Sequence, residues 1–236
     1  LSSHQGVVVL FDPDSGAPAA FIDASELTAI RTAAASAAAT DALARPDATR
    51  LAILGYGEQA WRHVEAIRHV REIEKVTIWG RSSERTEAFA ERWRSAGVAA
   101  HASPDAEAAV AEADIICTVT AAPEPILLDR WVADGTHINA VGSSRAGPSE
   151  IDEALVARSR FFADHREGVL AQGEEFIRAR AAAMVGDDHL LGEIGEVMAG
   201  TLEGRRGSSE VTIYKSLGSI VQDLAAARHI VASVSG

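Results

Sequence analysis

The run Leu51–Ala60, "LAILGYGEQA", holds the densest chemical signal in this chain: Gly55, Gly57 and Ala60 stand at G-x-G-x-x-A spacing, directly after an apolar run. That spacing suits a dinucleotide. Gly55 makes the tight turn, Gly57 lets the backbone approach a pyrophosphate, and the small Ala60 lets the following helix lie close to a sheet. With Glu58 and Gln59 the turn opens a helix, whose N-terminus attracts the anion. The next strand should decide which dinucleotide binds. An acid there would accept a ribose 2′-hydroxyl, but this chain reads "IWGRSSER". Gly80 stands in place of the acid, and Arg81, Ser82 and Arg85 can donate to a 2′-phosphate. The expected cofactor is therefore NADP, with NAD as the alternative. A plainer reading makes Ser82 or Ser83 only the cap of the next helix.

Other candidate residues lie near this turn only if the fold brings them there. Arg31 and Thr32, in "IRTAAAS", set a cation on an alanine-rich helix, suited to a substrate carboxylate or to a surface ion pair. Lys215 and Ser216, in "TIYKSLGS", stand where an irregular segment enters a helix; they either face the nicotinamide side of the cleft or cap that helix. The stretch "THINAVGSSRAGPSEID" begins as a buried strand and breaks into Ser143, Ser144 and Arg145, with no carboxylate, no cysteine and only one histidine between Thr136 and Glu150. The histidines lack metal-ligand spacing, and Asp187-Asp188-His189 reads as a polar loop, so no metal is expected. No serine elbow or Cys/His pair supports nucleophilic hydrolysis.

The elements that must position these residues alternate strand and helix from Leu51 to Ala163. Short, continuously apolar strands ("LAIL", "KVTIW", "VAAHA", "DIICTVT", "THINAVG", "SRFFAD") predict an α/β fold with a doubly wound parallel sheet buried on both faces. "SRFFAD" is expected to be the last strand. The dinucleotide domain is expected over 45–165. Residues 1–44 open with a hairpin around "DPDSG" and a helix capped by Asp23, with Glu26 closing a capping box. Residues 166–236 read as helical and unable to extend the sheet. The two ends should together form a second, substrate and dimerisation domain.

Composition narrows the partners. A net charge of −12 argues against nucleic acid and anionic membrane surfaces. No run is apolar enough to span a bilayer and the opening residues lack a leader pattern, so a cytoplasmic protein is expected. The single cysteine, Cys117, lies in an apolar run and should be a buried, inert thiol.

Taken in order, "IRTAAASAAAT", "LGYGEQA", "INAVGSSRAGPSEID" and "YKSLGSIVQDLAAA" resemble the ornithine cyclodeaminase/mu-crystallin family over nearly the whole chain. The resemblance implies a homodimer acting on a small amino or imino acid. It also implies that Arg31 binds the substrate carboxylate, and that Thr32, Gly55–Ala60, Arg81, Ser82, Thr120, Val141 and Ser216 line the dinucleotide. Family chains carry a further segment before the hairpin, with a lysine and an arginine that help hold substrate. This sequence begins near the hairpin, so the substrate pocket is expected to be incomplete within it. Ornithine cyclodeaminases proper carry an aspartate in the loop after "NAVG"; here Ser144 takes that place, as in the mu-crystallin and imino-acid reductase branch.

The resemblance thus favours an NADPH-dependent reductase of a cyclic ketimine carboxylate, or a related amino-acid dehydrogenase, with Arg31, Ser144 and Lys215 as the expected catalytic set. Two alternatives stand beside it: deaminating cyclisation of a diamino acid with a recycled cofactor, and a dinucleotide-regulated binding protein without turnover.

Overall fold

The structure is a computed structural model that describes residues 5–234. The reading of the first residues as lacking a leader falls largely on 1–4, outside the described residues. The chain opens with a two-stranded antiparallel hairpin, β1 (Val7–Phe11) and β2 (Pro18–Asp23). Its turn is held by Asp12, whose carboxylate accepts from Ser15 N at 2.8 Å and from Ser15 Oγ at 2.7 Å. Asp23 then caps α1 (Ala24–Leu43), accepting from Ser25 N and Glu26 N. The carboxylate of Glu26, expected to close a capping box, reaches Arg62 across the next interface at 2.8 Å.

A parallel sheet follows. Its strands are β3 (Arg50–Leu54), β4 (Lys75–Trp79), β5 (Ala100–Ala102), β6 (Ile115–Thr118), β7 (His137–Ala140), β8 (Arg160–Ala163), β9 (Leu190–Glu193) and β10 (Thr212–Lys215). They lie in the order β5-β4-β3-β6-β7-β10-β8-β9. The order reverses between β3 and β6, the place where open α/β sheets leave a crevice for ligands. Helices α2 (Glu58–Val70), α3 (Ser83–Ser95), α4 (Ala106–Val110), α5 (Glu153–Arg158), α6 (Arg166–Gln172) and α7 (Glu174–Ala181) connect the strands. Helix α8 (Ile194–Met198) stands between β9 and β10, and α9 (Ile220–Val234) follows β10. Strands β3, β6, β7 and β10 are buried almost throughout, because helices cover both sheet faces.

The sheet corrects the reading of the tail. Residues beyond 165 do extend it: β10 inserts between β7 and β8, and β9 forms the edge, so "SRFFAD" is not the last strand. "TIYK", buried on both faces, shows neither helical nor alternating period, and the edge strand "LLGE" is only four residues long, so both merged with the helices after them. The parallel sheet therefore runs on past the boundary expected at His165.

Helix α1 packs on α2, on α9 and on the sheet, which explains its small side chains. Ala39 and Leu43 meet Phe162 and Tyr214, and Asn139 Nδ2 donates to Thr40 Oγ1 at 2.9 Å. Cys117 is fully buried and its thiol is pushed up to about 12 by that burial, an inert state as expected.

Candidate active site

Register across the sheet assembles the site. Trp79, Leu54, Thr118, Ala140, Lys215 and Ala163 pair in one row at the carboxyl ends of their strands. The residues that follow them (Gly80, Gly55, Val119, Val141, Ser216 and Asp164) form a continuous lip. Above it opens a cleft of about 660 Å³, bounded by Arg31 and Thr32 of α1, Gly57–Gln59, Val119–Ala121, Val141, Ser144, Arg145 and Ser216–Gly218. A smaller cavity of about 170 Å³ shares Gly57 and Thr120 with it and continues toward Trp79, Arg81, Arg85 and Ile126.

The glycine turn fits a dinucleotide. Gly55 has φ +134°, and a Cβ there would stand 2.8 Å from the Val119 carbonyl, so only glycine makes the turn. A Cβ on Gly57 would meet no protein atom; it would project into the cleft where a pyrophosphate must approach. No side chain caps α2 at Gly57, which leaves the helix N-terminus facing the cavity. Ala60 is fully buried and brings α2 close to the sheet, as expected. Arg81 and Arg85 are exposed at the far cavity, and neither makes an ion pair among the described residues. Ser82 accepts from Arg85 N as the cap of α3 and does not line either cavity, so its plainer reading is the observed one.

At the opposite end Arg31 is partly buried and held in place by α9. Its Nε donates to Asp223 Oδ1 at 2.8 Å and its Nη1 to Gln222 Oε1 at 3.1 Å. Its Nη2 makes no hydrogen bond among the described residues and lies against Gly218 at the cleft wall. Arg31 is therefore an ion-paired residue that also lines the cleft.

Beneath the cleft runs a buried polar layer. Glu150 accepts from Thr120 N and Thr120 Oγ1, both at 2.6 Å, and from Gly142 N at 2.7 Å. Burial pushes its carboxyl above the ordinary glutamate range, while the bonds from Thr120 and the charge of Lys215 pull it back. Lys215, at the end of β10, is fully buried; its Nζ lies 2.9 Å from Glu175 Oε2 and donates to Ser143 Oγ at 2.8 Å. Ser143 Oγ in turn donates to Glu175, which also accepts from Glu150 N at 3.2 Å. Nearby, Asp164 accepts from Leu217 N at 2.8 Å and Gly218 N at 2.7 Å, and burial raises its carboxyl.

Lys215 thus departs from both of its expected placements. It is a strand residue that neither caps a helix nor lines the cleft, because its ammonium is turned down to Glu175 and Ser143. The layer also holds what the sequence reading missed. Glu150, Glu175 and Asp164 were passed over because each belongs to an unremarkable local run. One sequence signal pointed to Asp164, a carboxylate directly after an apolar strand at "FFAD"; none marked Glu150 or Glu175. A Cβ on Gly142 would overlap both the Thr120 carbonyl and the Glu150 carboxylate.

Comparison with known proteins agrees with this arrangement. The family profile for "Ornithine cyclodeaminase/mu-crystallin family" matches residues 1–236. The ketimine reductase mu-crystallin of Mus musculus is 38% identical over 226 residues, covering 96% of this chain and 68% of that protein. Among solved structures, the Thermococcus litoralis Delta(1)-pyrroline-2-carboxylate reductase in complex with NADH and L-proline superposes with a TM-score of 0.90 at 34% identity, covering 94% of this chain and 69% of that one. An archaeal alanine dehydrogenase dimer with bound NAD gives 0.90 at 32% identity, covering 95% and 69%.

Proposed function

We propose that this chain, which belongs to the ornithine cyclodeaminase/mu-crystallin family, is an NAD(P)H-dependent reductase of small imino acids, with a cyclic ketimine carboxylate as substrate and NADPH as preferred reductant. The observation that carries this reading is Arg31, fixed at the mouth of a cleft whose floor is a dinucleotide turn, opposite a loop that offers no carboxylate to the ligand. The bound cofactor supplies the hydride; the protein has to hold the acceptor carbon beside it and keep water away.

Arg31 does the holding. Asp223 and Gln222 occupy Nε and Nη1, which fixes the plane of the guanidinium and leaves Nη2 for a substrate carboxylate. Thr120, Val141 and Ser216 would hold the cofactor's reactive end, and the Glu150 bonds to Thr120 and Gly142 set the spacing between these segments. Ser144 and Arg145 close the loop side of the pocket. A ketimine that enters protonated at nitrogen needs no acid from the chain, which fits a loop of serines and an arginine in place of an aspartate. Lys215 positions this loop from below through Ser143 and Glu175 and stays out of contact with substrate. Arg31 of α1 and its partners Gln222 and Asp223 of α9 come from the two ends of the chain and would together form the substrate side of the pocket. A homodimer, as in the archaeal alanine dehydrogenase, would cover the exposed Phe11, Phe21, Ile220 and Val221.

The test is NADPH oxidation by the purified protein with Delta(1)-pyrroline-2-carboxylate. Turnover with the imino acid and none with ornithine is the expected result; ammonia release from ornithine without net cofactor change would replace this reading by the cyclodeaminase one. Arg31→Gln should raise KM at least tenfold with a smaller change in kcat, since a charge-assisted carboxylate contact contributes about 1.5–3 kcal/mol.

A further inference from the structure

The adenosine-side cavity contains a residue the glycine motif does not require. Between Gly55 and Gly57 stands Tyr56, a half-buried aromatic that packs against the β3–β4 core and lines the cavity. Its ring lies directly over Gly80, the first residue after β4. A Cβ built on Gly80 would overlap Tyr56 Cδ1 and Cε1. On the same ring, the Arg85 guanidinium stacks 4.8 Å from the centroid. So the aromatic ring fills the space that a side chain at position 80 would need, and it also holds the Arg85 guanidinium, which makes no hydrogen bond or ion pair among the described residues.

Position 80 is where an acid would accept a ribose 2′-hydroxyl, and an acid there would also repel a 2′-phosphate. We infer that Tyr56 is the cofactor-specificity gate of this chain: its ring excludes a 2′-hydroxyl-binding side chain at position 80 and presents Arg85 to the 2′-phosphate of NADPH. This inference rests on the reading that NADPH is the preferred reductant, and it adds the residue that sets that preference. The gate couples two positions, so neither glycine nor arginine alone decides the cofactor. A stacked cation keeps its donor edge free for phosphate, which a salt-bridged arginine would not.

Binding is the readout, so that turnover plays no part. NADPH and NADH are titrated by nucleotide fluorescence against the purified full chain, with 2′,5′-ADP and 5′-AMP as competitors. The unmodified protein should bind NADPH about tenfold or more tighter than NADH, from a pair of charge-assisted contacts. Tyr56→Ala should weaken NADPH and 2′,5′-ADP about fivefold and move NADH and 5′-AMP less than twofold, the size expected of a lost cation–π hold. Gly80→Asp should gain nothing for NADH while the ring is present. Adding Tyr56→Ala to Gly80→Asp should tighten NADH about tenfold relative to Gly80→Asp alone. Gly80→Asp binding NADH as well as the double variant would overturn the gate. So would an unchanged NADPH-to-NADH ratio in Tyr56→Ala, an arm that needs no substitution at position 80. Equal affinity of the unmodified protein for both cofactors would instead overturn the NADPH reading, and the 56–80 coupling would still be read from the NADH titrations.

Discussion

The two ends of this cleft handle charge in opposite ways. At the end we assign to adenosine, Arg81 and Arg85 are exposed and make no ion pair among the described residues, and the Arg85 guanidinium rests on an aromatic ring. Under the substrate end Lys215, Glu175 and Glu150 are fully buried, and their hydrogen bonds stay within the protein. Free, solvated charge is available to a ligand and can be altered at small structural cost. Buried, paired charge fixes geometry, and removing one member exposes the others to a low-dielectric interior. The adenosine end is therefore built to recognise, and the floor to hold still.

The sharpest way to break this contrast is Lys215→Met. It leaves Glu175 and the neighbouring Glu150 without their cation in a fully buried layer. Breaking a buried ion pair from one side costs about 3–5 kcal/mol, so the midpoint in urea should fall strongly. Combining Lys215→Met with Glu175→Gln should recover much of that loss, because the uncompensated charge is gone. A loss below about 1 kcal/mol for the single variant would mean that the floor tolerates free charge as the adenosine end does.

How much of this was legible beforehand follows the same divide. The turn Gly55–Ala60 and Arg81 and Arg85 could be read because they are local: strand, glycine spacing, helix and the missing acid all lie within one β-α-β unit. Arg31, Thr32, Ser144 and Ser216 could be singled out by type and position but with alternatives open, whereas Thr120 and Val141 came only from the family resemblance; the fold brings all six onto one cleft. The floor was not legible, because Lys215 meets Ser143 and Glu175 only after β10 inserts between β7 and β8. That insertion had no periodic signal, since "TIYK" is buried on both faces and short. The same missed strand made Lys215 look like a cleft or cap residue.

Between the two ends lies a seam that should respond to pH. His63 of α2 is fully buried; its Nδ1 lies 2.7 Å from the Gln59 carbonyl and its Nε2 2.9 Å from Ser36 Oγ on α1. The carbonyl can only accept, so Nδ1 carries a proton, and in the neutral ring that burial favours Nε2 accepts from the serine hydroxyl. Burial holds this imidazole down to about 4 from its ordinary 6.5. As pH falls below 6.5 the unfolded chain takes up the proton first, so the seam's contribution is complete above 6.5 and is lost progressively toward 4. The full loss is roughly 3 kcal/mol. His137, held down to about 3 by burial, adds a loss of the same sign. Measured stability should therefore decline from pH 6.5 to 4, and His63→Gln should flatten that decline. An identical slope in the variant would show that the seam does not titrate with folding.

The smallest effect separates the two ends by salt. Solvated arginines are screened by salt, whereas a fully buried pair is screened much less, and the Debye length shrinks from about 10 Å at 0.1 M to about 3 Å at 1 M. Raising the salt concentration over that range should weaken NADPH binding severalfold, weaken NADH binding less, and leave the contribution of the Lys215–Glu175 pair nearly unchanged. The last term is read as the difference in urea midpoint between the unmodified protein and Lys215→Met at each salt concentration. If that difference shrinks in step with NADPH affinity, the floor is solvated and the contrast between a recognising end and a holding end fails. If NADPH and NADH weaken equally, Arg81 and Arg85 do not reach the 2′-phosphate, and the recognition assigned to that end must come from the helix N-terminus at Gly57 alone.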